Sequence, residues 1–152
     1  MTQKPKIALY EPDIPQNTAA IIRTCACLGA KLEIIEPCGF LITDKRFKRV
    51  VMDYMNFSQI EFYESADRFF QEKKNQRIVL MTTKGTINYT NFKFKNNDTI
   101  LFGRESAGVP EKVHKLIENR LKIPMNNKLR SLNISSSVAI VLAESLRQIK
   151  LI

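Results

Sequence analysis

Apolar residues fall along this chain in short runs separated by amphipathic stretches. Lys6–Tyr10 reads as a strand, Lys31–Ile35 as another and Ile60–Tyr63 as a weaker one. Arg77–Thr82 (RIVLMT) and Thr99–Gly103 (TILFG) are fuller, and Leu121–Pro124 is a short last strand. Helical spacing holds over Asn17–Gly29, Ser65–Lys73, Pro110–Asn119 and Asn133–Ile149. Strand and helix signals that alternate in this way predict an α/β sandwich with a mostly parallel sheet. Asn88–Asp98 is polar and reads as a loop or an edge excursion.

Two of the helices carry more than one apolar face. On Asn17–Gly29, Ile21, Ile22, Cys25 and Leu28 share the face that should pack on the sheet. Arg23 points away, among Ala19, Ala20, Ala26 and Cys27. A solvated face is ordinarily rich in Lys, Glu and Gln, so a lone Arg among small residues predicts a second covered surface. Asn133–Ile149 presents Ile134, Val138, Val141, Leu142, Leu146 and Ile149 on one side, and Ala139, Ile140 and Ala143 on another. A chain of 152 residues has few layers to supply that cover. The expectation is one domain over residues 1–152 that forms a homodimer through these second faces, the alternative being an extra intramolecular layer.

Composition narrows the function. The chain is 44% apolar and shows no run near the ~20 residues a membrane span needs. Met1–Pro5 runs directly into the first strand with nothing like a signal peptide, so a cytoplasmic location is expected. Cys25, Cys27 and Cys38 are an odd number of thiols without metal-ligand spacing, and no metal is expected. Twenty-four Lys and Arg against fifteen Asp and Glu leave a net charge of +9. A polyanion, nucleic acid above all, is the natural partner for such a surface.

Three loop segments could carry chemistry. Glu11–Thr18 (EPDIPQNT) follows the first strand; two prolines stiffen it, and Asn17 or Thr18 could cap the next helix. Phe102–Pro110 (FGRESAGVP) follows another strand. There Gly103 and Gly108 permit tight backbone, and Glu105 can orient a polar group or accept from backbone N–H groups. Ile123–Ser135 (IPMNNKLRSLNIS) links the last strand to the long helix, with Ser131, Asn133 and Ser135 as capping residues or as a ligand-facing set. Loops at the carboxyl ends of parallel strands form the ligand crevice of open α/β sheets. Neither a dinucleotide fingerprint nor a P-loop occurs.

In order and spacing, these segments resemble the SPOUT methyltransferases over nearly the whole chain. The matching residues are Pro15-Gln-Asn17-Thr18 with Arg23, then Phe102-Gly103-x-Glu105 with Gly108 and Pro110. Ile123-Pro124-Met125 and Ser131-Leu132-Asn133-Ile134-Ser135 complete them. Tyr10-Glu11-Pro12, Ile35-Glu36-Pro37, Asp44-Lys45-Arg46, Asp53-Tyr54 and Thr82-Thr83-Lys84-Gly85 look like the short branch of that class. The resemblance implies methylation of the wobble ribose of leucine tRNAs, at cytidine or a modified uridine, from S-adenosylmethionine, with no added RNA-binding domain. It also implies a sandwich with a deep trefoil knot near the C-terminus, an outcome general folding rules make very rare.

The same resemblance assigns roles. Met81, Gly103, Ile123, Ser131 and Leu132 would hold the cofactor, largely through backbone groups. Arg23 corresponds to the family's catalytic arginine, with Asn17, Glu105, Ser131 and Asn133 as supporting polar residues. A guanidinium keeps its proton to about pH 12, so Arg23 reads as a phosphate clamp and charge stabiliser rather than a base. Ala19-Ala20 stand where the wobble branch often has Gly-Asn, and Ser136 replaces a common Asn. Both departures bear on substrate choice.

Lys45, Arg46, Lys48 and Arg49 put four charges around Phe47 and are candidates for tRNA anticodon-stem contact, a track that Lys112, Lys115, Lys128 and Arg130 could extend. His114 reads as a surface residue, and Glu61 and Glu64 as solvated charges. The rival readings are a methyltransferase for another tRNA or ribosomal RNA ribose, and a non-catalytic RNA-binding module. The second is disfavoured because Asn17, Arg23, Glu105 and Asn133 are all present.

Overall fold

The computed structural model describes residues 3–54, 59–126 and 132–152. Seven parallel strands form its sheet: β1 (Lys6–Tyr10), β2 (Leu32–Ile35), β3 (Ile60–Tyr63), β4 (Ile78–Met81), β5 (Ile87–Asn88), β6 (Thr99–Phe102) and β7 (Asn119–Lys122). Their order is β3-β2-β1-β6-β4-β7-β5. The helices are α1 (Pro15–Leu28), α2 (Lys45–Tyr54), α3 (Ala66–Glu72), α4 (Glu111–Leu116) and α5 (Ile134–Gln148). None is long and apolar enough to cross a membrane.

Strand alternation divides the core in two. Ile7, Leu9, Ile34, Val79, Ile100 and Phe102 face one side and pack with Ile21, Ile22 and Cys25 of α1, Val51 of α2, and Val138, Val141, Leu142 and Leu146 of α5. Ala8, Tyr10, Ile35, Leu80 and Leu101 face the other, against Phe69 of α3 and Val113 and Ile117 near α4. The α/β sandwich is therefore as expected. The expected knot concerns the C-terminal region, where residues 127–131 lie outside the described residues.

Several local expectations change. Helix α1 starts two residues early, because Pro15 occupies its first turn with φ already set for a helix; Ile14 stands at the N-cap with no side-chain bond. Neither Asn17 nor Thr18 caps it, which leaves the Asn17 amide available for other contacts. At the other end Gly29 adopts φ 71° and closes the helix. Helix α4 ends at Leu116, and Asn119 and Arg120, expected in that helix and the turn after it, instead begin β7 beside β4. Helix α2 and strand β5 are not among the elements that periodicity predicts. Helix α2 is built on the basic stretch: Asp44 Oδ1 accepts from Arg46 N at 2.9 Å, and Phe47 is buried against Phe40. Strand β5 is a two-residue edge.

The polar loop 88–98 is also tied down. Arg77 forms a forked pair with the buried Asp98 at 2.7 and 2.6 Å and lies over the Phe92 ring, while Phe94 is buried.

Candidate active site

Strands β1 and β6 are neighbours from which the chain proceeds outward in both directions, so loops at their carboxyl ends diverge and leave a crevice. A cavity of about 540 Å³ lies there, within the range of sites that enclose a small molecule. All three sequence segments reach it. Ile14 and Asn17 come from the β1 side, Phe102–Val109 from β6, and Ile123, Met125 and Leu132–Ile134 from the last crossover. The β4 end adds Met81, Thr82 and Thr83.

Backbone proximity shapes these walls. A Cβ at Gly103 would sit 2.6 Å from the backbone of Gly108, so the β6 loop can close only with glycine there. Gly108 has φ 65°, a left-handed conformation that side chains rarely adopt. After β4, the chain lies so close to β7 that a Cβ at Gly85 would come within 2.4 Å of the Leu121 carbonyl carbon.

Polar contacts then join the loops. Asn133 caps α5: its Oδ1 accepts from Ser135 N at 2.8 Å, and its Nδ2 donates to Asn17 Oδ1 at 3.1 Å. The same side chain is thus both a cap and a bridge between the starts of α1 and α5. Glu105 Oε2 accepts from Asp13 N at 3.0 Å, Ser106 donates its hydroxyl to Asp13, and Arg104 lies 3.7 Å from Asp13 and 3.9 Å from Glu11. The β1 and β6 loops are therefore latched by carboxylates. Asp13, Arg104 and Ser106 were not singled out from sequence. The only signal was their place in the two loop motifs.

The latch has a pH signature. Hydrogen bonding to Glu105 holds the Asp13 carboxyl below its usual range, aided by Ser106 and the Arg104 charge. Burial, and then the bond to Asp13, pushes Glu105 above its usual range. A raised Glu stabilises the fold in its protonated form. That contribution is complete below about pH 4.3 and is lost as pH climbs through the raised value. Asp13 has the opposite sign: its contribution is present above about pH 3.9 and fails as pH falls through the lowered value. Glu105→Gln keeps a permanent donor, so melting temperature should decline less between mildly acidic and neutral pH than in the unaltered chain. Parallel profiles would contradict a raised Glu105 carboxyl.

The structure brings together Asn17, Met81, Gly103, Glu105, Ile123, Leu132 and Asn133 around this cavity. Ser131, Lys128 and Arg130 lie outside the described residues. Arg23 is not on the cavity wall: it is exposed on α1, its guanidinium 5.2 Å from the centre of the Tyr54 ring of α2. Six residues of helix separate it from Asn17, a rise of about 9 Å and a rotation of about 240°. Lys45, Arg46, Lys48 and Arg49 are exposed on α2, and Lys112 and Lys115 on α4. One expectation is overturned. His114 is buried, 7% exposed, and lines the cavity, because the short helix α4 turns Val113 into the core and His114 toward the β6 loop.

A family model described as the SpoU rRNA methylase family matches residues 4–143. The chain belongs to that family. Its enzymes use S-adenosylmethionine. A relative from Beijerinckia indica subsp. indica, named tRNA (cytidine(34)-2′-O)-methyltransferase, is 46% identical over 145 residues, covering 94% of this chain and 91% of that protein. One of the same name from Escherichia coli K12 is 39% identical, with 94% and 92% covered. A solved structure concerned with 2-OH methylation of C/U34 on tRNA superposes with TM-score 0.91 at 33% identity, over 99% of both chains. For a SpoU methylase the cavity is suitably built. Glycine backbone allows close approach, Met81, Phe102 and Ile123 offer an apolar wall, and Asn17 and Asn133 stand at the helix starts. Among the described residues no group of His, Cys, Asp and Glu is arranged to hold a metal ion.

The remaining thiols do not add a nucleophile to this site. Burial raises the Cys25 thiol to about 12. Cys38 is also raised to about 12, by burial and then by Glu36, Glu105 and Glu11.

Proposed function

We propose that this chain methylates the ribose 2′-hydroxyl of wobble position 34, a cytidine or modified uridine, in leucine tRNAs. It would act in the cytoplasm as a homodimer of one SPOUT domain over residues 1–152, its C-terminal segment knotted. The observation that carries this reading is the convergence of Asn17, Glu105 and Asn133 on one cavity, in a chain that matches relatives of that name over nearly their whole length.

S-adenosylmethionine, when bound, would supply its sulfonium methyl to the ribose oxygen and leave as S-adenosylhomocysteine, the hydroxyl proton being released to water. Met81, Gly103, Ile123, Ser131 and Leu132 hold it, mostly through backbone groups. Asn17 and Asn133, already bonded to one another, orient the ribose hydroxyl, and Glu105 fixes the loop that carries Gly103. Arg23 clamps a phosphate and stabilises negative charge growing on the 2′-oxygen. Much of the acceleration comes from holding hydroxyl and methyl in line.

Two features support the dimer. Arg23 stands off its own cavity, and Ala20, Cys27, Met52 and Ile140 are exposed on α1, α2 and α5. Helix α2 covers part of the second face of α1 within the chain, so a second subunit need cover only the rest. The four basic residues of α2, with Lys112, Lys115, Lys128 and Arg130, supply contacts to the anticodon stem.

The test is transfer from labelled S-adenosylmethionine to synthetic leucine-tRNA anticodon stem-loops. The ribose-34 substrate should accept methyl and the 2′-deoxy-34 substrate should not. Equal labelling of both would refute the assignment. Acceptance by ribosomal RNA alone would favour the ribosomal target suggested by the family's description.

A further inference from the structure

We propose that His114 is a ligand-contacting residue, a hydrogen-bonding side chain for the adenosine half of the methyl donor. The inference rests on the cofactor reading above and adds to it a residue outside the three loop motifs.

His114 lies on α4, where its backbone N–H donates to Pro110 O at 3.2 Å, one turn beyond the loop that carries Gly103 and Gly108. The residue is 7% exposed and lines the cavity, so what remains open of it faces that space. Its imidazole makes no hydrogen bond to any described residue. The cavity lining is mixed, and Met81, Phe102, Val109 and Ile123 supply its apolar part. An occupant of the cavity can therefore bond the imidazole without displacing a contact to any described residue.

The chemistry of that occupant follows from the wall. A neutral imidazole offers one donor and one acceptor on the edge of a flat ring. An adenine edge or a ribose hydroxyl satisfies it, and the surrounding apolar side chains suit the faces of a purine. The amino-acid half of the donor carries charges and is suited by other polar residues of the same lining, such as Thr82, Thr83 and Ser137. A cationic sulfonium gains nothing from an imidazole donor.

His114 is the chain's only histidine, so its imidazole can be followed without mutation. In nitrogen-15 NMR of the full chain, saturating S-adenosylhomocysteine and 5′-methylthioadenosine should each shift both ring nitrogens, whereas methionine should leave them in place. By calorimetry, His114→Leu should weaken both adenosyl ligands about tenfold and His114→Gln by less than about threefold. The unliganded His114→Leu chain should melt close to the unaltered one, since no hydrogen bond to a described residue is lost; a purely structural histidine would give a clear drop. Unmoved ring resonances at saturation, or unchanged affinity in His114→Leu, would overturn the role of His114 while leaving the cofactor reading intact. If the unaltered chain bound no adenosyl ligand at all, both would fall.

Discussion

Replacing Arg23 with alanine is expected to reduce methyl transfer by about 10²–10³-fold and leave S-adenosylmethionine affinity within about twofold. The asymmetry follows from position. Arg23 lies off the cavity of its own chain, so removing it takes nothing from the cofactor walls. On the proposed role, the loss is of a fixed positive charge beside the oxygen that becomes negative as the methyl group is transferred. If that charge comes from the partner subunit, two differently impaired chains should complement each other. A Gly103→Val chain closes its own cavity, because even a Cβ there meets the Gly108 backbone at 2.6 Å, yet it keeps Arg23. Mixed with Arg23→Ala chains, it should restore about a quarter of normal activity, since half the dimers are mixed and each has one intact composite site. Heterodimers without activity would place Arg23 in service of its own subunit. Full activity in the single Arg23→Ala variant would remove it from the chemistry altogether.

The second large effect lies on the opposite face of the sheet. Glu33 of β2 and Lys73 at the end of α3 form an ion pair at 2.5 Å with side chains only 2% and 3% exposed, and Tyr63 donates to the same carboxylate at 3.0 Å. Lys73→Ala leaves a buried carboxylate without its counter-charge and should destabilise the fold by about 3–5 kcal/mol. For a chain of this length, that corresponds to a melting point lower by roughly 10 °C. The double replacement Glu33→Leu with Lys73→Met removes both charges and should recover most of the loss, because a well-packed apolar pair avoids the desolvation cost. Denaturant midpoints of the three variants decide it. A double variant as unstable as Lys73→Ala would show that shape, rather than uncompensated charge, sets the penalty.

Much of the architecture was legible because hydrophobic periodicity reports burial directly. Ile7, Leu9, Ile100 and Phe102 sit where alternation puts them, and Ser65 and Asn133 cap the helices they precede. The errors came where tertiary pairing outweighs local pattern. Asn119 and Arg120 have no strand-like character, yet β4 on one side and the chain after β4 on the other draw them into β7. Helix α2 is hard to read from the pattern because, among its described side chains, Phe47 and Val51 alone are buried in a run of charges. The same holds for His114: a histidine among lysines looks solvated, and it is the fold that buries it on the cavity lining. The latch of Asp13, Arg104 and Ser106 depends on two loops distant in sequence meeting at the β1–β6 switch point, which no spacing rule reports.

The central claim is that these loops together methylate one ribose. Nuclease digestion and mass mapping of leucine tRNA, after incubation with the full chain and S-adenosylmethionine, tests it most directly. A gain of one methyl group confined to the ribose at position 34 is expected. A methyl group on a base, on another ribose, or on no nucleotide of the tRNA would contradict it.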